Sequence, residues 1–162
     1  MRKQLTIGLF GFGCVGTGLY EVLNQSNLLD AKIKRIVVKD RTKKREKATE
    51  LIGYEASEIL NDDEINLVVE LINDSNEALK IVREALSKGK HVVSANKKLI
   101  AEHLDELINL AKENISSAKL GTITSDFGHD GFLVENEQLL SLINDFLFND
   151  FKKHSPTIFK RK

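Results

Sequence analysis

Ile7-Gly8-Leu9-Phe10-Gly11-Phe12-Gly13-Cys14-Val15-Gly16-Thr17-Gly18 joins two patterns of opposite kind. Residues 5–10 ahead of it form an apolar run with strand character, and from Val15 a helical pattern continues through Leu19, Val22 and Leu23. Between the two, Gly11, Gly13 and Gly16 have the G-x-G-x-x-G spacing of a dinucleotide-binding turn. Gly11 lets the chain reverse sharply, Gly13 removes the side chain that would hold a pyrophosphate off the backbone, and Gly16 lets the helix lie close to the strand. The N–H groups at the helix start then face the phosphates. The same spacing also occurs in turns that bind nothing; the strand before it and the helix after it argue for a ligand.

With 162 residues, 41% hydrophobic and 30% charged, the chain has the balance of a soluble globular domain with one ordinary core. Its 24 basic and 24 acidic residues cancel, so no global field draws it to nucleic acid or to a membrane surface. Met1-Arg2-Lys3-Gln4 runs directly into the first strand, and no apolar run approaches a bilayer span, so the expectation is a cytoplasmic protein without a signal peptide. A single cysteine, Cys14, excludes an internal disulfide and a multi-cysteine metal site; it reads as a small space-filler. His91, His103 and His154 lack metal-ligand spacing, so no metal is expected.

Downstream, residues 31–39 read as a second buried strand that ends at Lys39-Asp40-Arg41. The end of the second strand in a dinucleotide fold faces the adenosine ribose. An acidic side chain there suits the two hydroxyls of NAD, and basic ones suit the 2′-phosphate of NADP. Both signals stand together: Asp40 at the expected distance after the turn, and Lys39, Arg41, Lys43, Lys44 and Arg45 around it. A short helix over residues 57–62 with Ser57 as its N-cap precedes an apolar strand over 65–72. Asp74 and Glu77 have capping-box spacing, and the helix they open shows one apolar face through Leu86 and stops at Gly89. His91-Val92-Val93-Ser94 is the next strand, and a further helix follows Ala95-Asn96-Lys97. This alternation predicts an α/β fold: a doubly wound, Rossmann-like parallel sheet with helices on both faces and right-handed crossovers. The domain occupies residues 1–115. A strand over 119–124 and a helix over 132–149 are expected to complete the same sheet, with a basic tail over 151–162.

Gly11-Phe12-Gly13-Cys14-Val15-Gly16-Thr17-Gly18, Val68-Val69-Glu70-Leu71-Ile72, and Gly89-Lys90-His91-Val92-Val93-Ser94-Ala95-Asn96-Lys97 with Ala101-Glu102-His103 together resemble the nucleotide-binding domain of homoserine dehydrogenase over about residues 5–115. The resemblance implies hydride transfer between NADP or NAD and homoserine or aspartate semialdehyde, in amino-acid biosynthesis. It further implies that Phe12, Gly13, Cys14 and Val15 line the pyrophosphate and that Ser94 and Ala95, followed by Asn96, approach the nicotinamide ribose. Lys97 would sit near the substrate hydroxyl, where a partly desolvated lysine can exchange a proton near neutral pH. Where the family usually carries Gly-Gly after its Val-Glu-Leu-Ile strand, this chain has Asn73-Asp74. The family's substrate-binding half has no counterpart in residues 116–162. Homoserine is therefore expected as a partner only where a substrate domain is supplied, and a homo-oligomer is compatible with the family. A non-catalytic dinucleotide-binding module is the alternative.

Residues 118–149 instead resemble the C-terminal end of homoserine O-acetyltransferase, on the strength of Gly128-His129-Asp130-Gly131-Phe132-Leu133 and the amphipathic pattern after it. In that family the histidine is the triad base. The chain contains no G-x-S-x-G nucleophile elbow, so His129 reads as a relic without catalytic role.

Overall fold

Residues 4–25 and 30–115, with residues 137, 138, 140 and 141, are described by the computed structural model. The chain divides into two units, Met1–Ser116 and Ser117–Lys162. In the second, the described residues 137, 138, 140 and 141 are helical; the expected strand over 119–124, most of the helix over 132–149, and the basic tail lie outside the described residues.

β1 (Leu5–Phe10) is buried at every position after Leu5. Such a strand must be covered on both faces and paired on both edges. It pairs in parallel with β2 (Ala31–Val37) on one edge. With β3 (Ile52–Gly53), β4 (Leu67–Glu70) and β5 (His91–Ser94), these strands form one sheet in the order β3-β2-β1-β4-β5, parallel throughout. The order reverses direction between β1 and β4, the place where a doubly wound sheet opens a crevice at its carboxyl edge.

The side-chain alternation of β1 separates the two faces. Ile7 and Leu9 pack with Phe12, Ile36 and Val69, beneath Leu19, Tyr20 and Leu23 of α1 (Cys14–Gln25). Phe10 and Val68 pack on the other side with Ile59 and Leu60 of α2 (Ser57–Leu60) and with Ile81 and Ala85 of α3 (Ser75–Ser87). α4 (Lys97–Asn114) adds Leu99 and Leu107 to a third cluster with Ala78, Leu79, Val82 and Leu86 of α3. Helices therefore cover both faces, as the alternation of the sequence predicts.

The boundaries differ from expectation in ways that have local causes. The strand expected over 65–72 narrows to Leu67–Glu70, although Ile65 is still buried in the core. β3 has two residues, too few to leave a periodic signal. Ser57 does not cap α2: Ala56 holds that position without a side-chain bond. Instead Glu58 reaches back, its Oε1 accepting from the backbone N–H of Tyr54 at 2.9 Å and of Glu55 at 3.0 Å. Asp74 does cap α3, accepting from Asn76 and Glu77 N–H, while the Glu77 side chain pairs with Lys39 rather than completing a reciprocal box. Gly89 ends that helix region with φ +71°, a conformation that costs glycine nothing.

Two tests follow from this packing. A Cβ on Gly16 would stand 2.5 Å from the Gly11 carbonyl oxygen, whereas one on Gly13 meets nothing within 4 Å. Gly16→Ala should therefore destabilise by about 1–3 kcal/mol and Gly13→Ala hardly at all, as read from urea midpoints. The second concerns acid. Hydrogen bonds from Thr42 to Asp40, from Glu55 and Tyr54 to Glu58, from Lys34 to Asp62, and from Glu77 to Asp74 hold these carboxyls below their ordinary range. A carboxyl depressed in the folded state stabilises fully above its unfolded pKa and loses that contribution as pH falls through the folded value. Stability should thus fall between about pH 5 and pH 2, and Asp74→Asn, which keeps an acceptor but cannot ionise, should shallow the slope.

Candidate functional site

The carboxyl end of β1 passes into the glycine turn with almost no slack. Gly11 has φ +94°, and a Cβ there would lie 2.9 Å from the backbone oxygen of Leu71. Its N–H donates to the Val37 carbonyl at 3.0 Å, so the turn is tied to the end of β2 as well. Thr17 N–H closes the first turn of α1 on the Gly13 carbonyl at 2.9 Å. The N–H groups of Cys14, Val15 and Gly16 come before that first bond of the ladder. No acidic residue stands in this first turn to repel an anion. Open space beside Gly13 completes a cradle that a side chain would fill. The residues present therefore fit a diphosphate.

The sequence-predicted residues of the turn divide by what they can offer. The Phe12 ring is buried and packs edge-on against Tyr20 at 6.0 Å, so only its backbone is available to a ligand. Cys14 and Val15 are exposed. A groove of about 330 Å³ runs over the turn, lined by Phe12, Gly13, Cys14 and Thr17 on one side and by residues 43–47 on the other.

That second wall is built by the loop after β2. Asp40 Oδ1 accepts from Thr42 N–H at 2.8 Å, from the Thr42 hydroxyl at 2.7 Å and from Lys43 N–H at 3.2 Å. Arg45 straps the same loop by donating from Nη1 to the carbonyls of Asp40 and Lys43, at 2.8 and 2.9 Å. Lys39 is drawn to Glu77 at 3.0 Å, which raises its pKa. Arg41 binds Glu55 at 2.9 Å and lies over the Tyr54 ring, 4.7 Å from its centroid. The two flanking cations singled out in the sequence are thus each held by a carboxylate, whereas Lys43, Lys44, Arg45 and Lys47 face the turn. Lys47, which also pairs with Glu21, and Glu46 are the members of this wall that the sequence reading missed. No periodicity marks a loop that folds back; the run of basic residues was the one available signal.

Across the switch point, Ser94 closes β5 and Asn96 caps α4, its Oδ1 accepting from Leu99 N–H at 3.0 Å. Ala95 N–H donates to the Glu70 carbonyl at 3.1 Å. Lys97 is the first residue of α4 and is exposed. Asn73-Asp74 leaves the start of α3 closed by the Asp74 carboxylate, which occupies two N–H donors that a glycine pair would leave open. Among the described residues, no helix is long and apolar enough to cross a membrane.

The comparisons with known proteins agree with this geometry. Residues 11–118 match the family model described as homoserine dehydrogenase, NAD binding domain. The homoserine dehydrogenase of Bacillus subtilis is 35% identical over 121 residues, covering 69% of this chain and 28% of that protein. The one from Helicobacter pylori is 36% identical over 119 residues, covering 69% of this chain and 28% of that protein. A crystal structure of Staphylococcus aureus homoserine dehydrogenase at pH 7.0 superposes with a TM-score of 0.63 at 36% identity, covering 68% of this chain and 31% of the other. A hyperthermophilic archaeal homoserine dehydrogenase in complex with NADPH does so with a TM-score of 0.57 at 27% identity, over 68% and 41% of the two chains. The chain spans under a third of the length of its curated relatives. These matches add nothing to the likeness of residues 118–149 to homoserine O-acetyltransferase. Because the family model takes in more than half of the chain, and the strand order and glycine geometry beneath it agree, the chain belongs to the homoserine dehydrogenase family and carries its NAD-binding domain.

Proposed function

We propose that this chain binds NADP or NAD across the β1–β4 switch point and, joined to a substrate-binding half, oxidises homoserine to aspartate semialdehyde or runs the reverse. The observation that carries the reading is the contrast among the three glycines: Gly11 and Gly16 are pressed against backbone, and Gly13 opens on empty space. Packing alone accounts for the first two. The third is what a bound diphosphate requires.

The turn would hold the pyrophosphate on the backbone N–H groups of Gly13, Cys14 and Val15, and the loop over 43–47 would close the groove above it. The nicotinamide supplies the hydride acceptor. Ser94, Ala95 and Asn96 would border its ribose, and Lys97, projecting from the start of α4, would hold or move the proton of the substrate hydroxyl. Hydride transfer also needs the donor carbon fixed against the acceptor. That task falls to residues outside the matched domain, so the second reading, a dinucleotide-binding module without turnover of its own, describes the isolated chain. A cytoplasmic setting and assembly with further copies or a substrate half belong to the same proposal.

For the cofactor, we favour NADP. Three hydrogen bonds already fall on one oxygen of Asp40, which leaves it poorly placed to take both ribose hydroxyls. A 2′-phosphate carries nearly two negative charges, and Lys43 and Lys44 are exposed cations beside the turn, as is Lys47, which is paired with Glu21. Arg41, committed to Glu55 and Tyr54, would have to leave both to reach it.

Gly13→Val should abolish cofactor binding in calorimetric titration while leaving the unfolding midpoint close to that of the parent; unchanged affinity would remove the turn from the site. Replacing Lys43 and Lys44 together by alanine should weaken NADP by about one to two decades, the scale of a lost charge-assisted pair at the 2′-phosphate, and weaken NAD, which shares only the pyrophosphate, by clearly less. Equal losses for the two cofactors would show that the preference is set elsewhere. The isolated chain should oxidise homoserine negligibly with either cofactor, and substantial steady-state turnover would refute the division of labour.

A further inference from the structure

Glu70 ends β4 with its side chain wholly buried, an expensive place for a carboxyl group unless every oxygen is satisfied. Its Oε1 accepts from Ile72 N–H at 2.6 Å and its Oε2 from the Ser94 hydroxyl at 2.5 Å. Ser94 Oγ in turn accepts from Asn96 N–H at 3.1 Å, and Asn96 Nδ2 donates to the Ile72 carbonyl at 3.2 Å. The bonds therefore form a closed circuit: Glu70, Ser94, Asn96, Ile72 and back to Glu70. It fastens the loop after β4 to the loop after β5.

A residue whose task was core filling would be better apolar, since a buried carboxyl seldom adds net stability. What a fully satisfied polar circuit does supply is a single fixed arrangement. The arrangement it fixes lies at the carboxyl edge of the sheet, beyond β1 from the basic loop. In a doubly wound sheet a dinucleotide spans the switch point. With its adenosine half toward β2, its other half must fall on the loops that Glu70 joins.

We propose that Glu70 and Ser94 are positioning residues that hold the β4 and β5 loops as a rigid seat for the nicotinamide half of the cofactor, a reading that rests on the dinucleotide function above. The Ser94 hydroxyl has its proton committed to Glu70 and accepts from Asn96, so it acts through the loop and does not donate to the ribose. Asn96 is held at the head of α4 by the same circuit, which sets the point from which Lys97 emerges.

The test uses the full chain and two ligands, NADPH and adenosine 2′,5′-bisphosphate, which lacks the nicotinamide half. The parent should bind both, NADPH more tightly. Ser94→Ala should weaken NADPH about tenfold, as expected if the unpinned seat holds its binding arrangement about a tenth of the time, and leave the bisphosphate within about twofold. Ser94→Thr keeps the hydroxyl and should restore NADPH affinity. Glu70→Gln, which can no longer accept on both oxygens, should show the same selective loss, and should one variant lose its fold the other carries the comparison. Equal weakening of both ligands in a folded variant, no weakening of either, or a parent that binds the two ligands equally would overturn the proposal. A parent that binds neither would instead refute the dinucleotide function on which it rests.

Discussion

The Gly11 carbonyl oxygen lies 2.5 Å from where a Cβ on Gly16 would begin, and the rest of the domain is arranged around that approach. It brings the first turn of α1 down onto the end of the central strand. Only then do Leu19, Tyr20 and Leu23 reach the face carrying Ile7, Leu9 and Ile36. The same closeness leaves the N–H groups at the start of α1 pointing over the carboxyl edge of the sheet, where the parallel strands all end. One steric constraint thus sets both the packing of a helix and the location of the groove.

Two systems of polar bonds stand on either side of that edge. On the β2 side, Asp40 and Arg45 spend their bonds on their own loop and so hold its lysines against the glycine turn. On the β5 side, Glu70 spends both oxygens on joining two loops. In each case the carboxylate shapes the backbone and leaves the ligand to others. Asp74 does likewise at the head of α3, where it accepts from Asn76 and Glu77 N–H.

Much of this was legible in the residues. The apolar runs, the Asp74 cap, the stop at Gly89 and the Asn96-Lys97 helix start are local signals, and local physics decides them. What could not be read was anything decided by contact across distance. Lys39 and Arg41 stand beside Asp40 in sequence, yet Glu77 and Glu55, far along the chain, decide where they point. Ser57 is a good N-cap by type, but the N–H groups it would cap, those of Ile59 and Leu60, already donate to the Ala56 carbonyl. Glu70 looks like one polar interruption in an apolar strand, and its meaning emerges only when Ser94 arrives alongside in the register of β4 with β5.

The central claim is that backbone N–H groups at the glycine turn hold a diphosphate. Amide chemical shifts of the isotopically labelled chain, followed through a titration with NADP, test it most directly. The account predicts saturable shifts that are largest at Gly13, Cys14, Val15 and Gly16, with a second group over residues 43–47. Saturable binding that left the turn amides unmoved, or that moved a different edge of the sheet, would contradict it.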